Sequence, residues 1–356
     1  MKVAVIGAGN GGQAIAGYLA SQGCSVAICD VNAAVISELN ATKKIELKGL
    51  ISAIGDIQKC TTGAVEAIKN ANIIFIVTTA TAHVILARQL APYLEENQMI
   101  ILSPGRTGGA LAFKHELEQW GFTKRIYLAE AQTLLYACRI VQTGVVNIVG
   151  IKDKVRLAAL PSIDTSQVLE VIGRFFPAYV PAPNVLYTSL ENYGAVFHSA
   201  TVLFNAGAIE RGESFLFYKN MTPQIASFIE KLDRERINVA KAYGIDLISA
   251  SEWLKQTYGV KGDSLCELMK NNEAYKTLLS PTSLRCRQLT EDIPTGAIPI
   301  VELGKAAGVA VTTYESLINI TTQLLDDTFS TTARTLSKLG LEGMTKDQII
   351  QKIHFL

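Results

Sequence analysis

The chain has 356 residues, of which 33 are basic and 32 acidic, for a net charge of +1. That balance provides no field to draw nucleic acid or an anionic membrane, so neither is expected as a partner. With 49% hydrophobic and 18% charged residues the chain reads as a well-buried globular protein. Its length exceeds that at which a single core stops growing, so two domains are expected.

The opening MKVAVIGAGNGG lacks the basic segment, apolar core and cleavage site of a secretory leader. No apolar run reaches the roughly 18–20 residues of a membrane span. Cys24, Cys29, Cys60, Cys138, Cys266 and Cys286 are scattered, with neither a C-x-x-C pair nor metal-ligand spacing. They read as reduced thiols packed as small hydrophobes in a cytoplasmic protein, and no metal is expected.

In chain order, KVAVIGA (2–8) is a continuous apolar run of the kind a buried parallel strand requires, and a helical stretch follows to about Gln22. SVAICD (25–30) predicts a second strand and NAAVISELNAT a helix. NIIFIVT (72–78) and MIILSP (99–104) predict two more strands, separated by the amphipathic TAHVILARQLAPYL. RIYLAEA (125–131) adds another, and 138–160 reads as two or three further strands extending the same sheet. Strands alternating with helices predict a Rossmann-type, doubly wound parallel α/β sheet. Near FFPAYVPAPNV the pattern changes: Pro161, Pro177, Pro181 and Pro183 cluster there, and strand signals fade. The expected organisation is a dinucleotide-binding domain over 1–183 and an all-helical C-terminal domain over 184–356.

VIGAGNGG places Gly7, Gly9 and Gly12 in G-x-G-x-x-G spacing between a strand and a helix, which is a dinucleotide-binding arrangement. The first glycine permits a tight turn, the second lets backbone approach a pyrophosphate, and the third lets helix and strand pack closely. Helix N-terminal amides then face the phosphates. Asn10 within the loop and Thr78 at the end of a neighbouring strand join the cofactor-binding set. Asp30 ends the second strand, where a carboxylate accepts bonds from a ribose 2′-hydroxyl and repels a 2′-phosphate. NAD(H) is therefore expected ahead of NADP(H). The same aspartate also suits the N-cap of the following helix.

SLENYGAVFHSATVLFNAGAIE (189–210) reads as one helix that is apolar nearly all round, and hence buried. Glu191, His198 and Asn205 fall seven residues apart, a drift of only about 20° per step, so they share a stripe. A polar stripe on a buried helix implies partners or a ligand. A lone histidine in such a place is either a satisfied core residue or an acid/base.

Far downstream, SPTSLRCRQLTEDIPTGAIPI (280–300) packs Arg285, Arg287, Glu291 and Asp292 between prolines. An arginine fork suits a carboxylate substrate, and a carboxylate orients a histidine. A solvated surface loop has the same composition. The helix 222–245, with Asp233 and Arg236, reads as a solvated or domain-packing face.

With these motifs together, the sequence resembles the opine dehydrogenases, the octopine/nopaline dehydrogenase family, over nearly its whole length. IGAGNGG, LSPGRTGGAL (102–111), LAEAQTLLYACR (128–139), ENYGAVFHSATVLFNAGAIE (191–210) and PTSLRCRQLTEDIPTGAIPIVELGKAAGV (281–309) carry the resemblance. It implies reductive N-alkylation: an amino acid's amine condenses with a 2-oxo acid, often pyruvate, and the imine is reduced with NAD(P)H to a secondary amine dicarboxylate. It makes His198 the catalytic histidine, Asp292 its partner and Arg287 the substrate-binding arginine, with His198 facing a cleft between domains. Histidine titrates at about pH 6.5 and so exchanges protons near neutrality. By their place at the carboxyl edge of the sheet, Arg106, Thr107, Gln132 and Thr133 are expected near the oxo acid, and Asn205 joins the substrate set. Leu135, Ala131, Arg285 and Cys286 depart from the family's pattern beside this pocket. Arg285 is expected to favour an acidic amino donor. A homodimer is compatible with an exposed apolar helical face.

Two other readings compete. A ketopantoate reductase or glycerol-3-phosphate dehydrogenase would have the same two-domain plan but a lysine in the catalytic region, and no lysine lies between Lys154 and Lys219. A non-catalytic NAD(H) sensor would bind the cofactor without turnover.

Overall fold

The computed structural model describes residues 1–355, which divide into two compact units. One comprises residues 1–189 together with the end of the chain from 351. The other comprises residues 190–350.

The first unit runs β1 (Lys2–Ile6), α1 (Asn10–Ser21), β2 (Ser25–Cys29), α2 (Ala33–Thr42), β3 (Lys44–Gly49), β4 (Ala53–Asp56), β5 (Lys59–Thr61), α3 (Ala64–Ile68), β6 (Ile73–Ile76), α4 (His83–Leu90), β7 (Met99–Leu102) and α5 (Gly109–Gln119). It continues with β8 (Tyr127–Ala131), β9 (Tyr136–Gln142), β10 (Val145–Ile151), β11 (Val155–Leu160), α6 (Thr165–Ile172), β12 (Tyr179–Pro181) and α7 (Val185–Leu190). Eight strands form the main sheet in the order β12-β11-β8-β7-β6-β1-β2-β5. Every pairing is parallel except that of β11 with β8. β6 and β7 are buried at every residue, because helices cover both faces of a doubly wound sheet.

Residues 138–160 do not simply extend this sheet, as their apolar content suggested. Only β11 does. β9 and β10 join β3 and β4 in a separate four-stranded sheet, ordered β4-β3-β10-β9. The reason lies in their periodicity: Tyr136 and Cys138 are buried while Ala137 and Arg139 between them are exposed, so one face is dry and the other wet. The dry face packs on α1. A Cβ on Gly55 of β4 would lie 2.3 Å from the carbonyl oxygen of Gly17 in α1, so the contact is made backbone to backbone. One continuous core takes in Ile15 and Leu19 of α1, Val5 and Phe75 of the main sheet, and Leu47 and Ile148 of the second.

The second sheet is also pinned to the glycine loop. The Gln13 amide, 1% exposed, donates to Ala8 O at 2.8 Å and accepts from Gly144 N at 2.9 Å. Asn10 Oδ1 accepts from Ile140 N at 2.7 Å. Two α1 side chains therefore hold the β9–β10 hairpin in register with the loop.

The second unit is helical, as expected: α8 (Tyr193–Leu203), α9 (Ala206–Glu210), α10 (Pro223–Ala242), α11 (Ala250–Tyr258), α12 (Leu265–Asn271), α13 (Arg287–Thr290), a π-helical turn (Ile293–Ala297), α14 (Ile298–Ala306) and α15 (Thr312–Leu325). The last helix, α16 (Lys346–Phe355), begins in this unit and ends in the first. The single helix expected over 189–210 is three. Asn192 accepts a bond from Ala195 N and so starts α8 afresh, and Asn205 stands at the N-cap of α9. Glu191 and Asn205 thus lie outside α8, and the seven-residue stripe does not form.

The face carrying Asp233 and Arg236 is not solvated. Arg236 is 0% exposed and its NH2 group lies 2.6 Å from Asp233 Oδ1. It donates to Leu190 O and Ile248 O, and it stacks 4.8 Å over the Tyr193 ring. Asp233 in turn accepts from Ala250 N at 2.7 Å. A buried ion pair is tolerable only when hydrogen bonds complete it in this way. Here it braces the start of α8. Among the described residues no helix is long and apolar enough to cross a membrane.

Replacing Gln13 with Leu keeps the volume but leaves buried backbone groups unpaired, so stability is expected to fall by about 1–3 kcal/mol. A thermal melt reads that loss, and dinucleotide affinity should fall with it.

Candidate active site

The glycine loop is shaped by steric necessity. Gly7 has φ +105°, and a Cβ there would sit 2.4 Å from Val77 O. A Cβ on Gly12 would lie 1.8 Å from Gly7 O, so α1 could not approach β1 with any other residue there. Around the Cβ position of Gly9, by contrast, nothing lies within 4 Å. Gly9 is exposed, it N-caps α1, and no side chain caps that helix end. Open space before uncapped amides at a helix N-terminus is what a pyrophosphate requires, so these residues fit a dinucleotide.

Asp30 is half-buried at the end of β2. Its Oδ2 accepts from Ala8 N at 2.6 Å and its Oδ1 from Asn32 N at 2.9 Å. The side chain of Asn32, not that of Asp30, caps α2. The carboxylate is thus held against the glycine loop by a backbone amide. Thr78 lies beside Gly7, its Cγ2 3.2 Å from where a Cβ of that glycine would be, and its hydroxyl donates to Thr79 O. Asn10 is exposed, and its side-chain oxygen is engaged by Ile140 N.

At the carboxyl ends of β7 and β8 the first unit presents two loops. Arg106 has φ +61°, a left-handed conformation that costs a non-glycine residue about 1–2 kcal/mol. Thr107 is fully buried, and its hydroxyl donates to Ser189 O at 3.0 Å. Gln132 and Thr133 are half-buried in the segment after β8. Sequence reasoning missed Lys152, whose ammonium donates to Leu134 O at 2.7 Å and reaches Thr133 Oγ1 at 3.4 Å. Burial pushes its pKa down to about 8. It also missed Glu130, a lone acid inside the apolar run of β8 and 0% exposed. A charged residue at a core position of a strand was the available signal.

In the second unit, His198 lies at the middle of α8 with its side chain 22% exposed. Its Nδ1 is 2.7 Å from Oδ2 of Asp292, which is 0% exposed. The two residues are joined by a close approach of backbones. Gly296, in the π-helical turn after Asp292, would carry a Cβ only 2.8 Å from Ala195 Cβ of α8. Ser199, next to the histidine, donates to Gln288 O of α13 at 2.8 Å and closes the other side of the contact. Turns of π-helix recur at functional sites. An aspartate accepting the Nδ1 proton fixes the ring and leaves Nε2 for proton exchange.

Arg287 begins α13, with its side chain 62% exposed and Nε 3.8 Å from Glu291 Oε2. Arg285 is engaged elsewhere: it donates to Leu325 O at 2.6 Å and lies 3.6 Å from Asp327 Oδ2. Those bonds compete with the acidic-donor role expected for it. Asn205 is half-buried and donates to Thr201 O at 2.8 Å. Among the described residues no group of three or more His, Cys, Asp or Glu side chains is placed to hold a metal ion.

Known proteins resemble the chain in both parts. A family model described as NAD/NADP octopine/nopaline dehydrogenase, alpha-helical domain, matches residues 181–325. A second, described as NAD-dependent glycerol-3-phosphate dehydrogenase N-terminus, matches residues 2–115. The chain is 38% identical over 344 residues to an opine dehydrogenase of Arthrobacter sp. (strain 1C), covering 96% of each chain. An octopine dehydrogenase solved with NADH and L-arginine has the same fold, with a TM-score of 0.84 and 22% identity over 98% of each chain. So does a yersinopine dehydrogenase solved with NADP+, with a TM-score of 0.75 and 15% identity over 99% of this chain and 98% of that one.

Gly296→Ala should force α8 away from the π-helical turn. The downfield Nδ1 proton resonance of His198 should be lost, and turnover should fall by about ten- to a hundredfold. A second prediction concerns Lys152, whose folded pKa of about 8 lies below its ordinary 10.5. Between those values the unfolded chain binds more protons, so this group makes stability rise with pH through that window. Melts of Lys152→Met across the same range should show a flatter rise.

Proposed function

Because this chain belongs to the opine dehydrogenase family, NAD-dependent oxidoreductases acting on CH–NH bonds, we propose that it condenses an amino acid's amine with a 2-oxo acid such as pyruvate and reduces the imine to a secondary amine dicarboxylate. The observation that carries this reading is the buried Asp292 carboxylate 2.7 Å from Nδ1 of a partly exposed His198.

Bound at the glycine loop, NADH supplies the hydride. The rest of the chemistry is proton handling and positioning. The amine attacks the ketone carbon, and the carbinolamine loses water to give the imine. His198 Nε2 takes the proton the amine releases and returns one to the imine nitrogen, so that the carbon is electrophilic when hydride arrives. Asp292 holds the ring in orientation and stabilises its charged form. Arg287, exposed and only loosely paired, offers a guanidinium fork to a substrate carboxylate. Arg106, Gln132 and Thr133 take the oxo acid, with Thr107 anchoring their loop and Asn205 lining the amine side. Gly7, Gly9, Asn10, Gly12, Asp30 and Thr78 hold the cofactor. Asp30 supports NADH as the working form, because a 2′-phosphate would meet its carboxylate.

The six free thiols, five of them buried, support a reducing cytoplasmic setting. Half-exposed Phe204, and Ile320 and Leu324 of α15, suit a second copy of the chain. Sedimentation would then show a species of twice 38.5 kDa.

The deciding assay follows NADH oxidation at neutral pH with pyruvate plus each common amino acid, against either compound alone. Oxidation should require both, run faster with NADH than NADPH, and fall at least about a hundredfold in His198→Ala. Oxidation with the oxo acid alone would make the protein a simple reductase of the ketopantoate or glycerol-3-phosphate kind. Tight NADH binding without turnover of any pair would leave a sensor.

A further inference from the structure

We propose that Glu130 is a positioning residue for the oxo-acid substrate: its buried carboxylate fixes the loop 103–108 that carries Arg106. This rests on the reading above that Arg106 binds the oxo acid.

Glu130 lies at the end of β8, 0% exposed, and three donors converge on it. Ala110 N, in the first turn of α5, donates to Oε2 at 2.7 Å. The hydroxyls of Thr188 and Ser189 donate to Oε1 at 2.6 and 2.9 Å. An amide N–H only donates, and Ser189 Oγ, which already accepts from Gly108 N, turns its own proton toward Oε1, so Glu130 acts as an acceptor toward both α5 and Ser189.

Ser189 passes this constraint to the loop. Its Oγ accepts from Gly108 N at 2.9 Å, and its carbonyl accepts from Thr107 Oγ1 at 3.0 Å. On the other side of Arg106, Gly105 N donates to Ala131 O at 3.0 Å. Gly105 also lies so close to the carboxylate that a Cβ there would be 2.5 Å from Glu130 Oε2. Arg106 is therefore bracketed on both sides by groups tied to Glu130 or to its neighbour Ala131. A non-glycine residue at φ +61° persists only where its surroundings over-determine it, and such residues cluster at ligand clamps. A carboxylate at 0% exposure is an expensive way to secure a turn that glycine could make unaided. What it secures in addition is the direction of the Arg106 side chain.

The test is steady-state kinetics on Glu130→Gln, Ser189→Ala, their double mutant and Arg106→Ala, with NADH affinity by fluorescence and folding by circular dichroism. Glu130→Gln has the same shape but sends a donor toward groups that themselves donate. It should raise KM for the oxo acid at least about tenfold, with NADH affinity within about twofold of the parent. Ser189→Ala cuts the same path by removing one bond to Glu130 and the bond from Gly108 N while leaving the carboxyl group in place, and should raise that KM in the same direction. The double mutant should add little to the larger single effect, because both break one path. Unchanged KM for the oxo acid in folded Glu130→Gln or Ser189→Ala overturns the proposal. So does a parallel loss of NADH affinity and all KM values, which would mark a merely structural role. If Glu130→Gln does not fold, Ser189→Ala decides alone. If Arg106→Ala leaves the KM unchanged, the assignment of Arg106 to the oxo acid fails, and this proposal falls with it. A raised KM in Arg106→Ala alone refutes only the role of Glu130.

Discussion

Asp292 reaches His198 from 94 positions away in the chain, and the contact exists because α8 and the π-helical turn approach until Gly296 meets Ala195. Any larger residue at 296 would hold the two backbones apart, and a carboxylate has too short a reach to make up the difference. The second unit is organised around keeping that approach. Ser199 ties α8 to α13 on one side. Behind the start of α8, Arg236 holds the carbonyl of Leu190 and stacks on Tyr193. A histidine at the centre of a buried helix is useful only if its position is set by its neighbours, and here those neighbours are polar groups completed by other polar groups.

The first unit uses the same device with a different charge. A buried carboxylate, Glu130, gathers donors from α5 and α7. In both units a buried acid orients what it touches, Asp292 the His198 ring and Glu130 the segments that carry Ala110 and Ser189. In a medium of low effective dielectric such bonds are strong when complete and costly when broken, which makes them good determinants of geometry.

Much of this was legible in the sequence, for reasons that can be stated. Gly7, Gly9 and Gly12 were legible because their spacing between a strand and a helix is itself the signal, whatever lies elsewhere in the chain. The strands of the main sheet were readable as apolar runs because helices cover both of their faces. His198, Arg287 and Asp292 were recognised through the family resemblance, and composition alone left them open between site and surface. Other features escaped because their cause is not local. Whether β9 and β10 join the main sheet or a second one depends on β3 and β4, nearly a hundred residues earlier, whose mixed Lys, Glu and Gly content hides them. The break at Glu191 and Asn192 is a choice between continuing a helix and starting one afresh, and Arg236 on another helix helps decide it. Glu130 went unread because the groups that complete it, Thr188 and Ser189, lie nearly sixty residues downstream.

The parallel pairing of β3 with β10 has a consequence for how the molecule is made. Residues 44–49 leave the ribosome early, yet their partner strand is 145–151. Until residue 151 has emerged, α1 has β3 and β4 against its second side but lacks β9, and the hairpin that Gln13 and Asn10 hold does not exist. The glycine loop therefore gains its complete frame only once β10, more than a hundred residues downstream, has been made. A nascent chain at that stage carries an unpaired edge on β3, which is the kind of surface that chaperones bind during synthesis.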